Sequence, residues 1–153
     1  MSAAPSSEAG PYVSAQLYAE VQQFYARQMN LIEGADADPD AWAETFTEDA
    51  VFASPGPQPM EVGREAIRAS VQGTVDSFAA QRLDFRHWFG MIDVTEGPDG
   101  DLRTRYYALG WATPAGGALS ARGSLVCHDH LVRGEDGGWR VRERRLSADG
   151  RRD

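Results

Sequence analysis

The chain has 153 residues, 42 % of them hydrophobic and 25 % charged, and a formal net charge of −8. That suits one domain with a sizeable core, and it argues against phosphate-backbone binding as the main activity. Every basic side chain among its 15 Lys+Arg positions is arginine, so no Schiff-base amine, pyridoxal-phosphate anchor or P-loop can form.

No apolar run is long enough to cross a bilayer, and the N-terminus does not resemble a signal peptide. The single cysteine, Cys127, cannot close an internal disulfide. The expectation is a cytoplasmic protein that engages neither membrane nor nucleic acid.

Residues 1–12, rich in Ser, Ala and Pro, read as a loose tail, and residues 148–153 read as a second one. From Val13, apolar residues Leu17, Val21, Phe24 and Leu31 recur at helical spacing, with Gly34 as the expected stop. Asp38-Pro39 starts a short second helix carrying Trp42 and Phe46, and the strand Ala50-Val51-Phe52-Ala53 follows. A third helix is predicted from Arg64 to Ala80. Period-two alternation then predicts four strands, near residues 82–94, 101–113, 118–133 and 138–147, joined by Gly-rich turns. Helices followed by an antiparallel meander make an α+β fold, residues 13–147 forming one domain.

His87 falls in the first of these four strands, in Phe85-Arg86-His87-Trp88-Phe89-Gly90-Met91, where alternation places it with Phe85, Phe89 and Met91. An imidazole on an apolar face is either a pocket acid/base or a hydrogen-bonded core histidine. Asp129 interrupts the apolar series Leu125, Cys127, Leu131; it is either catalytic or a buried carboxylate paired with Arg105 or Arg144. Its neighbours His128 and His130 fall on the opposite face, so the triplet does not converge on a metal, and no metal site or cofactor is expected. Glu33 sits at the predicted end of the first helix, where the macrodipole opposes an anion; it is a proton carrier or a solvated helix end. Tyr107 could hydrogen-bond an enolate or carbonyl oxygen, or could simply pack.

Several segments together resemble the SnoaL-like branch of the NTF2-like superfamily. They are Ala41-Trp42, Phe46, Glu48-Asp49-Ala50-Val51-Phe52, Gly63-Arg64-Glu65-Ala66-Ile67, Arg86-His87, and Gly138-Trp139-Arg140-Val141 with Glu143-Arg144-Arg145. The resemblance implies a cone of strongly curved antiparallel sheet, closed by three N-terminal helices around a deep pocket, and a homodimer through the outer sheet face. It places His87 where scytalone dehydratase has a pocket histidine, Glu33 near that enzyme's helix-end aspartate, and Tyr107 near its second histidine. Ile32 stands where that enzyme's catalytic tyrosine would be.

These readings combine into a cofactor-independent cyclase or dehydratase of secondary metabolism, acting on a polyketide-derived or polycyclic carbonyl compound. His87 would be the base, Asp129 or Glu33 its partner and Tyr107 the oxyanion donor. Tyr25, Trp42, Phe52, Phe89, Met91, Trp111, Leu125 and Cys127 would line the site of a small apolar or aromatic substrate. A noncatalytic ligand-binding protein and an epoxide-opening or ketosteroid-isomerase-like enzyme are the alternatives.

Overall fold

A computed structural model describes residues 11–151. Most of the expected N-terminal tail, and residues 152–153, lie outside the described residues. In chain order the elements are α1 (Ala15–Asn30), α2 (Pro39–Ala43), β1 (Phe46–Ala53), β2 (Glu61–Val62), α3 (Arg64–Ala80), β3 (Leu83–Glu96), β4 (Leu102–Pro114), β5 (Ser120–Arg133) and β6 (Trp139–Ala148).

Ser14 caps α1 by accepting the Leu17 N–H at 3.1 Å, and Val21, Tyr25, Gln28 and Met29 form its buried stripe. The helix stops before Gly34. The Leu31 and Ile32 amides bond back to Gln28 and Met29 in tighter i→i−3 bonds, and the Leu31 carbonyl accepts from Asp38 N–H instead of extending the helix. Glu33 therefore lies in the turn after α1, not on the helix. Asp38 caps α2 as expected, with Pro39 at its first position.

The six strands form one sheet in the order β2-β1-β6-β5-β4-β3. All pairings are antiparallel except β1 with β6, which run parallel, a departure from a pure meander. The two-residue edge strand β2 has no sequence counterpart in the period-two pattern. Helix α3 touches β1 and β2 near one edge and β3 at the other. A flat sheet of that many strands spans roughly 20 Å or more, too far for one helix to bridge, so the sheet curls around α3. Bulges in β3, in β5, where Arg122 is skipped between the Gly123 and Ala121 pairings, and in β6 add to the curl. The core fills the concave side, where Val21, Tyr25, Phe46, Ile67, Leu102, Tyr106, Leu131 and Val141 are sealed from solvent.

Candidate active site

Glu33 and His87 meet although 54 residues separate them in sequence. The Glu33 side chain is only 11 % exposed, and its Oε1 accepts the His87 backbone N–H at 2.6 Å and lies 2.8 Å from His87 Nδ1. An oxygen already accepting a main-chain N–H acts as an acceptor, so Nδ1 is the donor, and in the neutral imidazole the lone pair is then on Nε2. Nε2 has no hydrogen-bond partner among the described residues, and His87 lines a cavity enclosed by the helices and the sheet. The Phe85 ring lies 4.8 Å from the imidazole and stacks on Phe78 at 4.7 Å. Gly110, opposite His87 on β4, is required there: a Cβ would stand 2.8 Å from the Phe85 ring.

The cavity holds ≈ 210 Å³ between α3 and the concave sheet face. Met29, Ile32, Trp42, Phe52, Phe89 and Leu125 give it apolar walls, while Ser54, Glu61, Ser70 and Thr74 place polar groups along one side. Such a space, mostly apolar with a few fixed polar groups, suits a flat ring system bearing oxygens.

A buried polar cluster closes another part of the wall. Directly paired across neighbouring strands, Thr104, Asp129 and Arg144 form one row on β4, β5 and β6. Arg144 Nε bonds Asp129 Oδ1 at 3.0 Å, and Nη2 bonds Asp129 Oδ2 and Gln28 Oε1, each at 2.8 Å. Tyr25 and Tyr106 donate to Asp129 Oδ2 at 2.9 and 3.2 Å. Burial pushes both phenols well above their ordinary range, and the Asp129 charge adds to it, so they remain donors. Burial works against the Arg144 charge, yet Asp129 and the phenols more than offset it and hold the guanidinium above its usual value. Burial likewise pushes the Cys127 thiol up to about 12, which leaves it a neutral wall group.

The SnoaL-like domain family matches residues 13–145. The chain belongs to the SnoaL-like family. This SnoaL-like protein is similar in structure to Aln2 from a Streptomyces species, with 38 % identity and a TM-score of 0.81 over 90 % of this chain and 94 % of that one. ActVI-ORFA from Streptomyces coelicolor is 35 % identical, with a TM-score of 0.78 over 88 % of this chain and 98 % of that one. A Catenulispora acidiphila protein in complex with S-DNPA is 34 % identical, with a TM-score of 0.75 over 89 % and 96 % of the two chains. No curated protein matches this SnoaL-like protein. The curved, unclosed sheet with its three helices is the NTF2-like cone.

The expected site residues divide. His87, Trp42, Phe52, Phe89, Leu125 and Cys127 line the cavity, and Glu33 holds His87. Asp129 is not beside His87; its carboxylate is sealed against Arg144. Tyr107 does not face the cavity. It is 40 % exposed on the outer face beside Arg105, and its neighbour Tyr106 points inward. Trp111 shares the outward phase of Tyr107, so it is not a wall residue either. Met91 is 74 % exposed, because a bulge between Gly90 and Asp93, with Met91 at φ 51, turns it out and Ile92 in. Tyr25 lies behind the cavity wall, its hydroxyl committed to Thr104 and Asp129. Of the other histidines, His128 is exposed and His130 bonds Asp101 at 2.6 Å. Sequence reasoning missed the cavity groups Glu61, Ser70, Thr74 and Tyr106, and treated Arg144 only as a possible partner of Asp129.

Proposed function

We propose that this protein is a cofactor-independent cyclase or dehydratase acting on a polyketide-derived, polycyclic carbonyl compound by general acid/base chemistry. The observation that carries the reading is the double hydrogen bond from His87 to Glu33 Oε1 at the wall of an apolar cavity. Likeness to a protein in complex with S-DNPA supports small-molecule binding.

Held by Glu33, the imidazole offers Nε2 as base. It removes a proton from the carbon next to the substrate carbonyl, and the electron pair moves onto the carbonyl oxygen. Glu33 stabilises the imidazolium that forms, in the way a buried carboxylate orients a catalytic histidine. In a dehydration the imidazolium returns the proton to the β-hydroxyl, which leaves as water as the carbonyl reforms. In a cyclisation the enolate carbon attacks a second carbonyl, and the same proton quenches the alkoxide. Asp129, expected as a possible partner of His87, has no part in this step.

A bicyclic β-hydroxy ketone tests the reading: 3-hydroxy-1-tetralone loses water to give 1-naphthol, which fluoresces. His87→Ala should slow this release by about 10²–10⁴-fold, and Glu33→Gln by a smaller factor. Wild-type-like turnover in His87→Ala removes the imidazole from the mechanism. The same reading includes a homodimer through the outer sheet face, supported by the exposure of Trp88, Met91 and Tyr107 there.

A further inference from the structure

Arg144 has more donors than its protein partners use. Nε and Nη2 are occupied by Asp129 and Gln28. Nη1 has no partner among the described residues, yet it is not among the side-chain polar atoms sealed without one, which are Trp42 Nε1, Asp101 Oδ1 and Trp139 Nε1. The residue as a whole is 2 % exposed and lines the cavity. Its open N–H groups therefore face the cavity, not bulk solvent.

The surroundings limit what can reach those groups. Arg144 Cζ lies 5.5 Å from the Phe46 ring centroid and 5.9 Å from those of Tyr25, Phe52 and Phe89. Phe52 and Phe89 also line the cavity, so a visiting ring meets aromatic faces on its way to Nη1. The charge balance selects the visiting atom. Asp129 already neutralises Arg144, and a carboxylate ligand would leave the buried cluster with an uncompensated negative charge; a neutral carbonyl oxygen does not. His87 lies elsewhere on the wall, two residues along β3 from Phe89, a Cα separation of about 7 Å.

We propose that Arg144 is a substrate-recognition residue, whose Nη1 donates to a carbonyl oxygen on a flat ring substrate at a point in the cavity separate from the His87–Glu33 pair. The proposal rests on the cavity being the substrate site, as in the proposed function, but not on turnover. Because it is read from binding alone, a failed dehydration assay leaves it standing, and the reverse holds too.

The test compares α-tetralone with tetralin, which has the same rings and no oxygen. A cavity without a free donor prefers tetralin, since burying an unpaired carbonyl is costly. Wild-type protein should instead bind α-tetralone at least about tenfold more tightly, one charge-assisted hydrogen bond's worth, with the bound carbonyl stretch moved to lower frequency. Arg144→Lys, which keeps a cation for Asp129 but withdraws Nη1, should lose both effects. If that variant fails to fold, the ketone preference and the shifted stretch must persist in Ser54→Ala, Ser70→Ala and Thr74→Val, which remove the other donors of the cavity; their loss in any of these overturns the proposal. Equal or tighter binding of tetralin, or an unshifted stretch, overturns the proposal. It is overturned as well if the ketone preference survives Arg144→Lys, since a cavity hydroxyl such as that of Ser70 or Thr74 is then the donor.

Discussion

Arg144 is tolerated in the core because Asp129 is there, and the reverse is equally true. Their side chains are 3 % and 0 % exposed. Removing one member leaves the other as an unpaired buried charge, which typically costs about 3–5 kcal/mol. Arg144→Met should therefore lower the stability read from urea denaturation by that order. Asp129→Leu combined with Arg144→Met should be less destabilised than Arg144→Met alone, because no stranded carboxylate remains. A double variant at least as unstable as the single one would show that the pair's charge is not what holds it. The contrast with Glu33 and His87 is chemical: that pair leaves one nitrogen free beside a cavity, whereas Asp129 has all of its partners inside the protein.

At the scale of elements, what could be read from the sequence depended on whether a strand kept its period. Along β5 the alternation is unbroken from Leu125 to Leu131, and the inward position of Asp129 and the outward positions of His128 and His130 were legible. The choice of Tyr107 over Tyr106 missed a signal of the same kind: Leu102, Thr104 and Tyr106 share a phase, while Arg103 and Arg105 mark the face on which Tyr107 stands. Two bulges defeat the same reasoning. The one in β3 takes Met91 out of the cavity. The other, where Arg142 is skipped between the Val141 and Glu143 pairings, carries Arg144 inward although simple alternation from Trp139 and Val141 would turn it out. The contact between Glu33 and His87 depends on how α1 ends, and tertiary packing sets that.

A further pair of elements is joined by His130 on β5 and Asp101 in the turn before β4. The hydrogen bond from His130 holds the Asp101 carboxyl below the usual carboxylate range; burial opposes this, and backbone donors assist it. A carboxyl depressed in the folded state binds fewer protons there than in the unfolded chain. Its contribution is present above the unfolded value of about 3.9 and is lost as pH falls through the folded one. His130→Ala should lower the urea midpoint near neutral pH, and the gap to wild type should narrow as pH drops below about 4. A gap of constant size across that range counts against the assignment.

Across the whole molecule, the two faces of the sheet have opposite characters. The concave face is consumed by the helices and the cavity, while the convex one presents Trp88, 69 % exposed, beside Tyr107 and Met91. Aromatic groups of that size are uncommon on a face meant for water alone. Sedimentation should find a dimer that Trp88→Glu converts to a monomer; a wild-type monomer at micromolar concentration would count against the dimer. No helix among the described residues is long and apolar enough to cross a membrane.

The parallel pairing of β1 with β6 has a consequence for how the protein is made. β6 lies inside the sheet, with β1 on one side and β5 on the other, yet it is synthesised after both. Until it leaves the ribosome, β1 and β5 each present a bare hydrogen-bonding edge and the nascent sheet remains in two pieces. The strand that joins them is also the one that brings Arg144. Completion of the sheet and arrival of the buried cation in the cavity wall are thus a single event, and no chain that stops short of β6 can carry a finished binding site.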